Sequence, residues 1–157
     1  MPARRLKEYL DMNKIRYVTI THSTAYTAQE IAAYAHIKGR KMAKTVIIKM
    51  DGKLAMAILP ASYKVDFDHL REATGAGRVR LASEQEFKDA FPGCEVGAMP
   101  PFGNLYGIEV FVAASLVEDE EIAFNAGTHT EIIRMEYKDF EFLVKPKIIR
   151  FTTKMLV

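Results

Sequence analysis

Residues 43–61 read AKTVIIKMDGKLAMAILPA, and this stretch points to the fold class more directly than any other. Two apolar, partly β-branched runs flank the pair Asp51-Gly52, which is favoured in tight hairpin turns. Strands that are joined by so short a turn pair antiparallel. The stretch therefore predicts a β-hairpin at the centre of a sheet.

The segment before this hairpin carries both helix and strand patterns. Apolar residues recur at near-helical spacing over residues 3–13, which predicts an amphipathic first helix. Residues 15–22, IRYVTITH, alternate as a strand does. Residues 27–36 have the pattern of a second helix, in which Thr27 is the N-cap and Glu30 completes a capping box.

Helices and strands also alternate after the hairpin, but at short intervals. The patterns predict helices over residues 66–77, 83–91 and 138–146, and strands over residues 78–82, 108–116, 121–127 and 130–137. The last strands follow one another too closely for β-α-β crossovers. We therefore expect an α+β fold with a largely antiparallel or mixed sheet, in a single domain of residues 1–157.

Composition narrows the class of protein. With 157 residues, 49% of them hydrophobic and 27% charged, the chain has the make-up of one ordinary globular domain. No apolar run reaches the roughly 18 residues of a membrane span, and the charged N-terminus does not resemble a secretory signal, so we expect a cytoplasmic protein. Cys94 is the one cysteine, which excludes an intrachain disulfide and a cysteine-based metal site.

Charge is unevenly distributed although the net charge is only +2. That total excludes a strongly basic protein that coats nucleic acid. Lys38, Arg40, Lys41 and Lys44 nevertheless form a basic cluster that is suited to phosphates. The cluster is not a P-loop, because the two glycines which that motif requires are absent. Taken alone, Lys44 is either a solvated side chain or a point charge held in a pocket, and lysines are more often solvated.

Three further features carry candidate chemistry. Asp66 to His69, DFDH, has carboxylates and an imidazole for a metal, but the first turn of a helix is the commoner explanation. His129 follows a turn between two strands, where loops place functional groups. Gly97 to Gly107, GAMPPFGNLYG, is either a rigid surface loop or a wall that directs the N–H groups of Gly97, Ala98 and Met99 at a ligand oxygen. Residue types alone leave that choice open.

Four segments in order resemble the landmarks of the YbaK/prolyl-tRNA-synthetase-associated editing domain family. They are HSTAYTAQEIA, GRKMAKTVIIK, GAMPPFG and FNAGTHTEIIRM, and the resemblance spans roughly Ala3 to Phe142. Its most specific element is a lysine that opens a strand, followed downstream by a G-x-x-x-P loop. These are Lys44 and Gly97 to Pro101 here. The resemblance implies an α+β domain with a mixed, barrel-like sheet flanked by helices.

The resemblance also implies an activity. Relatives in this family are deacylases that hydrolyse the ester between a wrong amino acid and the terminal adenosine of tRNA. We therefore expect a trans-editing enzyme that removes a small amino acid of the alanine, serine or cysteine class, with a ribose hydroxyl of the substrate assisting the attack of water. The alternative is a non-catalytic module that binds tRNA or a synthetase through the same pocket.

Residue roles follow from the same resemblance. It implies catalytic roles for Lys44, Gly97 and Pro101: the lysine contacts the terminal phosphate or ribose, and the loop holds the aminoacyl carbonyl and the water. The implied substrate-binding residues are Tyr26, Thr45, Ala98, Met99, Pro100 and His129. No metal or cofactor is expected. The expected partners are the aminoacylated end of tRNA and, less directly, an aminoacyl-tRNA synthetase, with neither membrane nor DNA involved.

Overall fold

The structure is a computed structural model that describes residues 2–21 and 42–154. The predicted helix over residues 27–36, with Thr27 and Glu30, lies outside the described residues. The helices are α1 (Pro2–Met12), α2 (Phe67–Thr74), α3 (Glu84–Phe87), α4 (Ala114–Val117) and α5 (Tyr137–Val144). The strands are β1 (Tyr17–Thr21), β2 (Ala43–Met50), β3 (Lys53–Pro60), β4 (Tyr63–Val65), β5 (Val79–Leu81), β6 (Glu109–Ala113), β7 (Glu121–Asn125), β8 (Glu131–Glu136), β9 (Lys147–Ile149) and β10 (Thr152–Lys154).

The described strands form three sheets. The largest has the order β5-β2-β3-β6-β9, a second has the order β1-β8-β7, and β10 pairs with β4. Pairing is parallel between β3 and β6 and between β6 and β9, and antiparallel elsewhere within the sheets. The expected α+β fold with a mixed sheet is confirmed. The extent of the domain, residues 1–157, stays a prediction.

The hairpin predicted from residues 43–61 is confirmed as β2 and β3. Met50 faces Lys53 at its end, and the two residues between them both have positive φ, 49° at Asp51 and 84° at Gly52. Such a turn matches the right-handed twist of the strands that it joins. Asp51 also accepts hydrogen bonds from the backbone N–H groups of Gly77 and Arg78, so that the turn is fastened to the loop before β5.

Two apolar clusters pack on opposite faces of the large sheet. Ile47 and Ile58 belong to the main core, which also takes Phe124 and Ile133 from the second sheet. The next residue of β2, Ile48, belongs to a separate cluster on the other face. Successive side chains of a strand alternate between faces, so both faces of β2 are apolar because both are covered.

Helix ends follow the capping rules. Asp66 caps α2 by accepting a hydrogen bond of 3.0 Å from the backbone N–H of His69, and Gly75 ends the helix with φ of 74°. The helix interpretation of DFDH is therefore confirmed. Ser83 and Glu86 form the capping box of α3, although that helix is shorter than the predicted 83–91. The last helix is confirmed as α5.

The strand predicted over residues 108–116 is wrong in its second half. β6 ends at Ala113, and α4 begins at Ala114. Alanine and leucine suit a helix better than a strand, whereas the β-branched and aromatic residues lie within β6. The sequence patterns also missed β4, β9 and β10, which pair with distant segments, although the equally short β5 lies within the strand predicted over residues 78–82.

The large and second sheets meet where β2 begins. Met42 makes a parallel bridge with Ala123 of β7, and the carbonyl of Met42 accepts a hydrogen bond of 2.7 Å from the backbone N–H of Ala61. This junction brings the start of β2 next to the second half of β7. Among residues 2–21 and 42–154, no helix is both long and apolar enough to cross a membrane.

Candidate active site

The segment Gly97 to Pro101 begins in a tight turn. The backbone N–H of Ala98 donates a hydrogen bond of 3.0 Å to the carbonyl of Glu95, which closes a four-residue turn with Gly97 in its third position. Gly97 has φ of 83°. A type II turn needs positive φ at this position and therefore favours glycine there. The conformation of the turn therefore requires glycine as the first residue of the expected G-x-x-x-P loop.

This turn is fastened to the turn after β7. The backbone N–H of Gly127 donates to the carbonyl of Ala98 over 2.9 Å, and the backbone N–H of Glu95 donates to the carbonyl of Gly127 over 2.8 Å. The two segments are about thirty residues apart in the chain. Two segments that the sequence marked separately, GAMPP and FNAG, therefore form one structural unit.

His129 lies against Gly97 in the same unit. Its Nε2 is 2.7 Å from the carbonyl oxygen of Val96, and a Cβ added to Gly97 would lie 3.4 Å from the Cε1 of its ring. A carbonyl oxygen only accepts, so Nε2 carries a proton, and Nδ1 is the acceptor in the tautomer that this contact selects. Among the described residues, Nδ1 has no hydrogen-bond partner.

The rest of the loop is buried. The side chains of Ala98 and Met99 are 0% and 4% exposed, and Pro100 and Pro101 are buried as well. Met99 packs in the main core, so its side chain is occupied by packing. The N–H of Ala98 is used by the turn, so it is not one of the free donors that the wall interpretation of the loop requires. Within the described residues, the N–H groups of Gly97 and Met99 have no such partner.

Phe102 anchors the end of the loop. Its side chain is 0% exposed, and its ring contacts those of Tyr9, Phe124 and Phe140 at centroid distances of 6.3, 5.5 and 5.4 Å. Gly103 follows and is closely packed, because an added Cβ would lie 2.5 Å from the carbonyl oxygen of Ile108. The loop is therefore held at Gly127 on one side and in the core on the other.

Lys44 lies at the start of β2, away from this unit in sequence. Its side chain is half-buried, it has no ion-pair partner among the described residues, and burial lowers its pKa. It faces Leu59 across the hairpin and therefore shares the face of the second cluster, whereas Thr45 pairs with Ile58 on the main-core face. No described contact joins Lys44 to the loop, and Tyr26 lies outside the described residues.

Comparison with known proteins decides the family. The profile of the aminoacyl-tRNA editing domain family matches residues 22–143. The chain belongs to this family. The match confirms the resemblance found in the sequence, and its description agrees with the enzyme class expected there, an aminoacyl-tRNA deacylase.

Two kinds of protein are among the relatives of the editing domain. The chain is 30% identical over 116 residues to the proline–tRNA ligase of Bacillus mycoides (strain KBAB4), covering 72% of this chain and 20% of the ligase. It thus spans about a fifth of the length of the ligases that it matches. It is 28% identical over 156 residues to the multifunctional Ser/Thr-tRNA deacylase ProXp-y of Escherichia coli (strain K12), covering 94% of this chain and 91% of the relative.

A solved structure shares the fold of the editing domain. A crystal structure described as that of a candidate trans-editing enzyme for prolyl tRNA synthetase superposes with a TM-score of 0.83 at 17% identity. The alignment covers 97% of each chain. At this identity the similarity supports the fold alone, and it agrees with the mixed α+β architecture of the described residues.

One residue of the editing domain was missed by the motif analysis. Asn125 is the last residue of β7, and its Oδ1 is buried without a hydrogen-bond partner among the described residues. The available signal was a polar amide at the end of an otherwise apolar strand, EIAFN. Buried amide oxygens are normally hydrogen-bonded, so this atom requires an explanation.

Proposed function

We propose that the editing domain is a trans-acting aminoacyl-tRNA deacylase that removes a small mischarged amino acid. The observation that carries the proposal is the unit in which the Gly97 turn, the Gly127 turn and the His129 ring lie together. Serine is the first substrate to test, because it belongs both to the expected class of alanine, serine and cysteine and to the name of the E. coli relative.

The proposed reaction is hydrolysis of the ester at the 3′ end of tRNA. Water adds through its oxygen to the ester carbonyl, the bond between that carbon and the ribose oxygen breaks, and the ribose oxygen takes up a proton. The products are a free amino acid and a tRNA with a free hydroxyl. An aminoacyl ester is already activated, so positioning of water and stabilisation of the developing negative charge supply most of the required acceleration.

Each site residue has a part in this proposal. Lys44 supplies a positive charge to the terminal phosphate or ribose, and a half-buried cation without an ion-pair partner in the described part of the chain is suited to that role. The N–H groups of Gly97 and Met99, which have no partner among residues 2–21 and 42–154, are donors for the oxyanion. Pro100 and Pro101 keep the loop rigid, since each fixes its φ. His129 orients the water or polarises the substrate through Nδ1, and a free ribose hydroxyl assists the water.

A panel of mischarged tRNAs tests the proposal. We expect purified protein to deacylate at least one of Ser-, Ala-, Cys- or Thr-tRNA without added metal. Lys44→Ala is expected to lower the rate by about 100-fold or more, the usual effect of removing one electrostatic contact in a catalytic site. Lys53→Ala, at an exposed position on the hairpin turn, is the matched control and should retain activity. A panel without turnover above background would overturn the proposal.

The alternative function gives a different result in the same panel. A non-catalytic module would bind tRNA in a salt-sensitive way, through cations such as Lys44, and leave the ester intact. Binding without turnover would therefore support the module that binds tRNA or a synthetase. We propose a cytoplasmic location for either function, because charged tRNA is used there.

A further inference from the structure

The Asn125 side chain is the starting point. Its Oδ1 is buried and has no hydrogen-bond partner in residues 2–21 and 42–154, while the three residues before it in β7 are apolar. Leaving a buried acceptor without a donor destabilises a fold, so such a group is retained at a cost unless a ligand provides the donor. The question is which ligand group reaches this position.

Strand pairing places Asn125 next to Lys44. Met42 and Ala123 form a parallel bridge, and two residues further along each chain lie Lys44 and Asn125. Asn125 also pairs with Ile132, which clusters with Met42 and Ala123 on one face of the joined sheets. Because side chains alternate along a strand, Lys44 and Asn125 project from this same face.

Asn125 is also close to the loop in the chain. Gly127, two residues later, donates its backbone N–H to the carbonyl of Ala98. Asn125 is thus two residues from the bridge that leads to Lys44, the cation assigned to the phosphate or ribose, and two residues from Gly127, which bonds to the loop assigned to the ester carbonyl.

We propose that Asn125 Oδ1 accepts a hydrogen bond from the α-amino group of the aminoacyl ester. The inference rests on the proposed deacylase function and adds a contact to it. The phosphate and the carbonyl of the substrate are acceptors, which match Lys44 and the loop N–H groups, whereas the α-amino group is a donor and needs an acceptor. A neutral amide suits this position, because a carboxylate beside Lys44 would pair with the lysine and neutralise the charge needed for the phosphate.

The contact is tested by removing each of its partners. Wild type and Asn125→Ala are compared on one tRNA charged either with alanine or with propionic acid, which has the same ester and lacks the amino group. We expect Asn125→Ala to lower kcat/KM on the alanyl ester by about tenfold to hundredfold, the usual effect of losing a buried hydrogen bond. On the propionyl ester the two proteins should have similar kcat/KM values, because that ester has no amino group to bind.

Two controls separate binding from folding. Asn125→Leu removes a buried polar atom that has no partner among the described residues, so the Tm of this variant should equal or exceed that of wild type while the selective loss on the alanyl ester remains. Asn13→Ala changes an exposed amide that donates to the carbonyl of Tyr9, and it should affect neither ester. Equal losses of Asn125→Ala on the two esters, with wild type active, would overturn the role of Asn125 and leave the deacylase function standing. An inactive wild type would overturn the function itself.

Discussion

In this editing domain, a single residue can be unfavourable for stability and favourable for the proposed function. Lys44 is a half-buried cation without an ion-pair partner among the described residues, so its charge is poorly solvated until a ligand arrives. Gly97 adopts a backbone conformation that most residues avoid, and His129 rests against the place where its side chain would be. The half-buried charge of Lys44 lowers the stability of the free protein, whereas glycine takes the Gly97 conformation without strain, and the proposed function gives both residues a contact with the substrate.

Lys44→Met should raise Tm at neutral pH and remove activity, because methionine keeps the chain length and loses the charge. Burial lowers the pKa of Lys44 below its ordinary value of 10.5, so in the interval beneath 10.5 the native state binds fewer protons than the unfolded state. Wild-type stability therefore rises with pH through the lowered pKa and levels off above 10.5. When Tm is measured against pH, the Tm values of wild type and Lys44→Met should converge in this interval. A constant difference in Tm would contradict the prediction.

Gly97→Ala should lower both stability and activity. Alanine at φ of 83° is strained, and its Cβ would lie 3.4 Å from the His129 ring. We expect a loss of about 1 kcal/mol in the free energy of unfolding from the backbone. Gly52→Ala is the matched control, since Gly52 has φ of 84° in the hairpin turn and an added Cβ meets nothing within 4 Å. Chemical denaturation should show similar losses in the free energy of unfolding for Gly97→Ala and Gly52→Ala. Only Gly97→Ala should lower kcat/KM. Equal activity of the two variants would count against a role for the Gly97 turn.

At the scale of elements, the loop from Gly97 to Phe102 is rigid because it is held at both ends. Gly127 bonds to its first half, and the Phe102 ring fastens its second half among rings from α1, β7 and α5. A rigid loop keeps backbone donors in place without reorganisation during the reaction. The loop therefore has the property that a wall for a developing oxyanion needs.

Phe102→Leu should lower activity by more than the loss of stability in this variant accounts for. Loss of part of a ring that is 0% exposed should lower the free energy of unfolding by about 1–2 kcal/mol, less than truncation to alanine. Phe140→Leu is the matched control, because Phe140 is also 0% exposed and contacts Phe102 from α5. Chemical denaturation should show similar losses of stability in the two variants. The kcat values, measured under conditions in which both variants are fully folded, should be reduced only in Phe102→Leu. A similar kcat loss in both variants would assign Phe102 to the core alone.

At the scale of the whole molecule, the site depends on the way two sheets meet. The bridge between Met42 and Ala123 joins β2 to β7, so that the strand that begins near Lys44 runs beside the strand that ends at Asn125. The turn after β7 then reaches the loop from Gly97. Three segments that are far apart in the chain are thus linked through β7 and the turn after it, and the proposed site draws on all three.

Local sequence pattern was sufficient to predict the hairpin, α1, α5 and the N-caps Asp66 and Ser83. Turn chemistry, periodicity and side-chain capping all act within a few residues. The order of four motifs was also sufficient to recognise the family. Tertiary contacts decided the rest. Three-residue strands exist only through their partners, the tautomer of His129 is set by the carbonyl of Val96, and the N–H of Ala98 is taken by a turn. The unpaired oxygen of Asn125 has the same origin, since burial and the absence of a donor are properties of packing between sheets, which no single stretch of residues encodes.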